Sequence, residues 1–192
     1  MRITRAGSQR VVRAAFRQAM HRRKRVALVD KANVLPSIAF FRQVFDEVAS
    51  DFPEVDAERV YVDAAALYLV TQPRRFDVLV TENMFGDILS DLLAGLVGGM
   101  GMAPSADIGD RYAVFQPSHG SAPDIAGKGI ANPVAAILSA AMMLEWLGET
   151  SAAGRIQSAV RIVFRDRAAR TRDMGGSLDT TEMTDAIIAV LP

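Results

Sequence analysis

The chain has the length and composition of a globular protein with a substantial hydrophobic core. It contains 192 residues, of which 50% are hydrophobic, and its mean hydropathy is +0.15. Basic and acidic residues number 22 each, so net charge indicates neither a nucleic-acid nor a membrane partner. The sequence has no cysteine, which excludes disulfides and thiolate metal ligands and favours a cytoplasmic location. Any metal site must therefore use oxygen or histidine ligands.

The first 25 residues carry nine basic side chains and no acidic one. Such a bias occurs in targeting sequences and in nucleic-acid-binding arms. Apolar residues between Val11 and Met20 recur at helical spacing, however, which favours an amphipathic helix over Ser8–Arg22 with a solvated basic face. The longest apolar run, Val134–Leu147, is interrupted by two polar residues and is shorter than the roughly 20 residues of a membrane span, so it predicts a buried helix.

Strand and helix patterns alternate along the first two thirds of the chain, which predicts an α/β fold. The predicted strands are Arg25–Val29, Val60–Asp63, Phe76–Thr81 and Tyr112–Phe115. The other predicted helices are Ser37–Phe52, Ala65–Thr71, Phe85–Val97, Pro133–Leu147, Thr150–Arg170 and Thr180–Val190. Glycines between Gly98 and Gly109 mark a boundary, so we expect two α/β portions, 1–97 and 98–192, that meet at a cleft.

Two aspartates one helical turn apart, Asp87 and Asp91, are the most informative pair in the sequence. At this spacing the Cβ atoms lie roughly 5–6 Å apart, and two such carboxylates repel unless a proton or a metal lies between them. They follow the predicted strand Phe76–Thr81, and α/β sheets place ligands at the carboxyl ends of their strands. The pattern is typical of a divalent-cation site. A solvated pair near a helix N-terminus is the alternative.

Lys31 and Asp63 also follow predicted strands, Arg25–Val29 and Val60–Val62. Both positions allow the strand ends to present a charged side chain to a site. Lys31 is therefore a candidate general base, although an exposed loop lysine is more often a solvated charge.

Gly99 and Gly101 do not match a dinucleotide-binding fingerprint. They follow a predicted helix instead of a strand, and no small residue opens a helix after them. The stretch is interpreted as a connecting loop.

The stretch from His119 to Pro133 is a better candidate for a binding loop. Its glycines, alanines and serine would let backbone amides approach a ligand, and His119, Asp124 and Asn132 supply polar groups. Structural roles remain open: Asn132 and Pro133 suit the start of a helix, Asp124 suits a turn, and a lone histidine is commonly structural.

Four ordered motifs resemble those of the β-decarboxylating dehydrogenases, the family of 3-isopropylmalate, isocitrate, homoisocitrate and tartrate dehydrogenases. The sequences of these motifs are most similar to those of the isopropylmalate and homoisocitrate branches. The motifs are Val29-Asp30-Lys31-Ala32-Asn33-Val34-Leu35, Tyr61-Val62-Asp63-Ala64-Ala65, the stretch Thr81 to Asp91, and the stretch His119 to Pro133. The resemblance covers essentially the whole chain, which corresponds to the C-terminal half, or slightly more, of a family member. It implies an isocitrate/isopropylmalate dehydrogenase-like fold that is incomplete at the N-terminal side.

The resemblance implies oxidative decarboxylation of a 2-hydroxy acid that has a neighbouring carboxylate, as in 3-isopropylmalate. Mg²⁺ or Mn²⁺ would be held by Asp63, Asp87 and Asp91, and Lys31 would accept the hydroxyl proton; Lys31 and Asp63 are the implied catalytic residues. The tyrosine that reprotonates the enolate and the arginines that bind the substrate carboxylates belong to a segment preceding this chain. The sequence of this chain therefore does not identify the 2-hydroxy acid.

The same resemblance implies NAD as the cofactor. Asp124 would accept hydrogen bonds from the adenosine ribose and repel the 2′-phosphate of NADP. The implied cofactor-binding residues are Asn33, His119, Gly120, Ser121, Ala122, Asp124, Ile125 and Asn132.

Two hypotheses follow. The first is an NAD- and metal-dependent dehydrogenase whose missing half is supplied by further sequence or by a partner chain. The second is a non-catalytic oligomerising or regulatory subunit, or a remnant that has lost activity. The resemblance also implies a homodimer, in which helices Ser37–Phe52 and Phe85–Val97 pair between subunits and Lys31 and Asp63 cross the interface.

Overall fold

The computed structural model describes residues 2–166 and 169–192. Its internal contacts divide the chain into two compact units, Met1–Leu93 and Ala94–Pro192. This division falls slightly before the predicted boundary between residues 97 and 98; the roles assigned to the two portions stay predictions. The α/β class is confirmed, because unit 1 contains a parallel sheet with helices connecting its strands.

The sheet of unit 1 has three parallel strands in the order β2-β1-β3. They are β1 (Arg25–Asp30), β2 (Asp56–Tyr61) and β3 (Val78–Val80). The chain adds β2 on one side of β1 and then crosses to add β3 on the other, so the strand order reverses at β1. In open α/β sheets, ligands bind beyond the carboxyl ends of the strands at such a reversal.

Helices cover both faces of this sheet. They are α1 (Arg5–Met20), α2 (Pro36–Ala49), α3 (Val62–Thr71) and α4 (Asn83–Val97). Alternate residues of the central strand point to opposite faces. Val26 and Leu28 join the core formed with α1 and α2, whereas Ala27 and Val29 join the core formed with α3 and α4. The continuous hydrophobic run of β1 is thus explained by burial on both faces.

The basic N-terminal segment forms the amphipathic helix predicted for it, shifted to Arg5–Met20 because Thr4 caps its first turn. Val12 and Phe16 are fully buried against α2. Arg5 pairs with Glu47, and Arg13 lies 2.5 Å from Asp51. Part of the basic face is therefore matched by acidic residues of the same unit. None of the helices in the described part of the chain is long and apolar enough to cross a bilayer.

Unit 2 consists of an antiparallel hairpin and three helices. The hairpin strands are β4 (Pro104–Ile108) and β5 (Ala113–Pro117), and the helices are α5 (Val134–Trp146), α6 (Thr150–Val163) and α7 (Thr180–Ala189). The Ser139 hydroxyl donates to the carbonyl of Gln116 at 2.8 Å and ties α5 to the hairpin. Buried Val134, Val160 and Met183 join the three helices in one core.

Three differences from the predicted elements have local causes. The sequence pattern predicts a loop where the structure has strand β4. This strand pairs with β5, and none of its residues is fully buried, so its hydrophobic pattern is weak. Strand β2 ends at Tyr61, two residues before the predicted end, so Asp63 lies just beyond it in the first turn of α3. Helix α6 ends at Val163 instead of Arg170; of that predicted extension, residues 167 and 168 lie outside the described residues.

Candidate active site

Lys31 and Asp63 meet at the carboxyl edge of the sheet. Lys31 directly follows β1, and Asp63 begins α3 just beyond β2. Because these strands are parallel neighbours, their ends bring together two residues that are far apart in sequence. The Lys31 ammonium donates a hydrogen bond to Asp63 Oδ1, and this bond holds the pKa of Asp63 below its usual value, with a backbone N–H adding to the effect. The Asp63 side chain remains 68% exposed, so the pair faces solvent.

A buried ion pair lies directly behind Lys31. Asp30, whose side chain is 1% exposed, receives two hydrogen bonds from Arg42: 2.7 Å from Nε to Oδ2 and 2.6 Å from Nη2 to Oδ1. The hydrogen bond to Asp30 raises the pKa of Arg42 above its usual value, against the opposing effect of burial. Asp30 Oδ1 also accepts the backbone N–H of Ala32 at 3.0 Å. The pair therefore fixes the backbone on both sides of Lys31.

Tyr61 completes this cluster as the last residue of β2. Its ring centroid lies 5.7 Å from Lys31 Nζ and 5.1 Å from Arg42 Cζ, within cation–π range of both. The ring thus packs beside both cations at the sheet edge. Asp30 pairs with Tyr61 across β1 and β2, and Arg42 reaches both from α2, so this cluster depends on tertiary packing and not on a local sequence pattern.

Asp87 and Asp91 lie on α4 in a stripe with two apolar residues. Met84, Asp87, Ile88 and Asp91 follow the spacing i, i+3, i+4, i+7, so they share one helix face, which we call the α4 stripe. Met84 and Ile88 are 52% and 61% exposed, and both aspartates are exposed. Within the described part of the chain neither carboxylate has an ion-pair or hydrogen-bond partner. Because α4 begins at Asn83, Asp87 lies beyond the first turn, where the helix dipole stabilises it less.

The three predicted metal ligands do not converge in a single copy of the chain. Among residues 2–166 and 169–192, no three histidine or carboxylate side chains come together around one point. The donors fit the chemistry of Mg²⁺ or Mn²⁺, since all three are hard carboxylate oxygens. Asp63 must reach Asp87 and Asp91 from a second copy if all three are to hold one ion.

The predicted binding loop encloses a cavity of about 340 Å³ in unit 2. The loop adopts left-handed backbone conformations at Gly127 (φ 74°) and Gly129 (φ 65°), which glycine permits without strain. A Cβ added at Gly120, Gly127 or Gly129 would meet nothing within 4 Å, so the backbone there is open to a ligand. The predicted residues that line the cavity are His119, Gly120, Ser121, Ala122, Ile125 and Asn132. This volume lies within the range of small-molecule sites.

Two of the polar residues in the loop have fixed orientations. His119 Nδ1 lies 2.8 Å from the Gly120 carbonyl; since a carbonyl only accepts, Nδ1 donates this hydrogen bond and Nε2 is left for another partner. Asn132 is 8% exposed, and its Oδ1 accepts the N–H of Val134 at 3.0 Å at the start of α5. The helix begins one residue later than expected, so Pro133 and not Asn132 is its N-cap, and Asn132 bonds the first helical N–H from the residue before the cap.

Two predicted cofactor residues lie outside the wall of this cavity. Asp124 is exposed in the same loop but is absent from the cavity lining. Asn33 belongs to unit 1, in the turn that follows Lys31. Conversely, Gly101 and Asp173 line the cavity although the sequence interpretation gave them no such role. Gly101 does lie in a short 3₁₀ turn between a helix and a strand, which confirms that it does not belong to a dinucleotide fingerprint.

Comparison with known proteins assigns the chain to a family. The family model described as isocitrate/isopropylmalate dehydrogenase matches residues 1–187. The chain belongs to this family. Isocitrate/homoisocitrate dehydrogenase of Thermus thermophilus is 56% identical over 191 residues, covering 98% of this chain and 57% of the relative. The 3-isopropylmalate dehydrogenase of Archaeoglobus fulgidus is 50% identical over 98% of this chain and 58% of its own length.

Comparison with a solved structure identifies the fold of this family member. The crystal structure of isocitrate dehydrogenase from Methylococcus capsulatus superposes with a TM-score of 0.95 at 48% sequence identity, covering 99% of this chain and 57% of the solved one. The predicted isocitrate/isopropylmalate dehydrogenase-like fold is thus confirmed. The chain spans somewhat more than half the length of these relatives, so the activity of the whole protein is a matter for proposal.

Proposed function

We propose that this family member is a component of an NAD- and metal-dependent dehydrogenase that oxidatively decarboxylates a 2-hydroxy acid with a neighbouring carboxylate. The observation that carries the proposal is the Lys31–Asp63 pair at the carboxyl edge of the sheet, where the strand order reverses. Two neighbouring strands hold the lysine and the carboxylate together at this edge. A structural ion pair on the surface would not need to lie there, so the position favours an acid–base role. Relatives named for isocitrate, homoisocitrate and 3-isopropylmalate support this substrate class.

The residues of unit 1 have distinct roles in this proposal. Lys31 would accept the proton of the substrate hydroxyl as a neutral amine, after its ammonium has released a proton to solvent, and the Asp30–Arg42 pair holds the backbone that carries it. Asp63, Asp87 and Asp91 would hold Mg²⁺ or Mn²⁺, which when bound would polarise the hydroxyl and carbonyl oxygens of the substrate.

We propose that two copies of the chain complete the metal site. The α4 stripe exposes Met84 and Ile88 beside two unpartnered carboxylates, a combination that a dimer interface would bury and a cation would neutralise. Helix α2 contributes less than the sequence suggested, because Ile38, Phe41 and Phe45 are already buried within unit 1. Dimerisation is therefore assigned to α4 and not to a pairing of α2 with α4.

Unit 2 would bind NAD in its loop cavity. The open backbone at Gly120, Gly127 and Gly129 suits the close approach of a dinucleotide, and His119 Nε2 offers an acceptor. Asp124 at the rim would favour the free ribose hydroxyls of NAD over the 2′-phosphate of NADP. The cysteine-free sequence supports a cytoplasmic location.

Mn²⁺ binding to the 192-residue chain tests the metal assignment. Isothermal calorimetry compares the wild type with the Asp87→Asn, Asp91→Asn double variant. We expect the double variant to lose at least about tenfold in affinity, because removing two charged ligands costs more than 1.4 kcal/mol. An Asp107→Asn, Asp110→Asn variant, which neutralises two exposed aspartates in unit 2, is the matched control. Equal affinity in all three proteins would identify Asp87 and Asp91 as ordinary surface carboxylates.

A further inference from the structure

Asn132 is held from two directions in the wall of the loop cavity. Its Oδ1 accepts the N–H of Val134, and its Nδ2 donates to Asp173 Oδ2 at 3.0 Å, with Met102 Sδ 3.6 Å away. With Nδ2 on a carboxylate and Oδ1 on an N–H, only one orientation of the amide satisfies both partners. Asn132 is the only buried residue among those that line the cavity.

Asp173 reaches this position from a distant part of the sequence. It lies in the 3₁₀ turn Arg172–Met174, 41 residues beyond Asn132. One of its oxygens holds Asn132, and it also lines the cavity. The turn is closed by the bond from the N–H of Gly176 to the carbonyl of Thr171 at 3.0 Å, which fixes the backbone that carries the carboxylate.

Gly101 allows the two side chains to meet at the cavity wall. A Cβ added there would lie 2.8 Å from Asn132 Cβ and 3.0 Å from Asp173 Oδ2, closer than side chains tolerate. The backbone of the 3₁₀ turn Met100–Met102 therefore packs directly on the Asn132–Asp173 pair. Three segments of unit 2 converge on one amide.

We propose that Asp173 is a positioning residue for the cofactor pocket: it sets the orientation of Asn132 and thereby the affinity for NAD. This inference rests on the proposed function of the cavity. A side chain that is already fixed loses no rotational freedom when the ligand binds, so its contribution to affinity is retained in full. Without Asp173, Asn132 Nδ2 would keep only the weak acceptor Met102 Sδ, and the amide would be held less firmly in its orientation.

The test uses the 192-residue chain with three substitutions. Asp173→Ala removes the acceptor, Asp173→Asn keeps a side-chain oxygen at the same place, and Asp110→Ala removes an exposed carboxylate elsewhere in unit 2. Calorimetry measures NAD affinity, and ¹⁵N NMR follows the Asn132 side-chain amide. We expect Asp173→Ala to weaken NAD binding by about tenfold, as for the loss of one hydrogen bond to a charged group. Asp173→Asn and Asp110→Ala should stay within about threefold of the wild type by the same scale.

The NMR signal separates positioning from direct contact. In the wild type the two Asn132 amide protons should exchange slowly with solvent, and Asp173→Ala should accelerate this exchange while Asp173→Asn restores protection. Weakened NAD binding with unchanged Asn132 protection would mean that Asp173 contacts the cofactor itself, which overturns the positioning role. Unchanged NAD binding in Asp173→Ala would overturn it as well. A wild-type chain that fails to bind NAD would instead overturn the proposed cofactor site, and this inference with it.

Discussion

We propose that the choice between NAD and NADP depends on Asp124. It is exposed in the binding loop beside the cavity that contains His119 and Asn132. A carboxylate there can accept hydrogen bonds from ribose hydroxyls but repels a 2′-phosphate, because both groups are negatively charged. Its absence from the cavity wall leaves a role at the rim, where solvent weakens both effects.

We therefore expect the wild-type chain to bind NAD more tightly than NADP, by up to about 30-fold, which corresponds to roughly 2 kcal/mol. Asp124→Lys should reverse the preference because the ammonium attracts the phosphate. Asp110→Lys, which makes the same charge change at an exposed turn of unit 2, is the control. Calorimetric titration with each dinucleotide measures both affinities. Equal binding of NAD and NADP by the wild type would remove Asp124 from the site.

Asp77 shows how a buried carboxylate is stabilised at the opposite edge of the sheet. Its side chain is 2% exposed and accepts hydrogen bonds from Arg22 Nε at 2.9 Å and from the N–H of Arg23 at 2.8 Å. Burial by itself favours the neutral acid, but these bonds outweigh it and hold the pKa of Asp77 below its ordinary value. The ionised form therefore stabilises the folded chain.

The stabilisation by Asp77 should depend on pH. Because the pKa in the folded chain is lower than in the unfolded chain, the stabilisation is complete above the unfolded pKa of about 3.9 and is lost as pH falls through the folded pKa. Asp77→Asn should thus lower the urea midpoint at pH 6 and have a shrinking effect as the pH approaches 3. Asp107→Asn, which removes the charge of an exposed aspartate on β4, is the control at both pH values. An effect of Asp77→Asn that is the same at both pH values would contradict this account.

At the scale of elements, close approach of two backbones explains one glycine of unit 2. A Cβ at Gly176 would lie 2.0 Å from the carbonyl oxygen of Arg170, where a short parallel bridge joins Thr171 to Leu178. Gly154 lies within α6, and a Cβ there would meet nothing within 4 Å. A Gly→Ala substitution should therefore have opposite effects on stability at the two positions.

Gly176→Ala should destabilise the chain by at least about 2 kcal/mol, since the backbone must separate to admit the methyl group. Gly154→Ala should stabilise it by roughly 0.5–1 kcal/mol, because alanine has the higher helix propensity. Chemical denaturation gives both free energies of unfolding. If the two variants have equal stability, the packing of the 170–178 segment differs from the one described.

At the scale of the whole molecule, the α4 stripe links assembly to chemistry. Met84 and Ile88 are exposed on the face that carries Asp87 and Asp91, so the surface suited to a second copy is also the surface that carries the metal donors. One interface would bury the apolar side chains and bring the third carboxylate, Asp63, from the other chain.

Ile88→Asp should therefore convert a dimer into a monomer and weaken Mn²⁺ binding at the same time. Ile188→Asp is the matched control, because Ile188 on α7 has the same 61% exposure as Ile88. Sedimentation velocity at micromolar concentration gives the oligomeric state. A folded, monomeric wild type would exclude this interface, and a dimer that persists in Ile88→Asp would place the interface elsewhere.

The sequence by itself determined the α/β class, the family and most of the helices, because hydrophobic periodicity and ordered motifs are local properties of the chain. It also indicated Lys31, Asp63, Asp87, Asp91 and the loop from His119, since each follows a strand or forms a small-residue loop. It extended the strand before Asp63 to Val62, whereas β2 ends at Tyr61 and Asp63 is the second residue of α3; the predicted pairing of α2 between subunits stays a prediction.

Only the tertiary structure decided which residues support these candidates. Strand register brings Tyr61 beside Lys31, and the packing of α2 on the sheet brings Arg42 to Asp30. The folding of a 3₁₀ turn onto the loop brings Asp173 to Asn132, 41 residues away, at a glycine that the sequence marked only as a connector. Local patterns report how a segment buries its own side chains, whereas contacts between distant segments depend on how the segments pack.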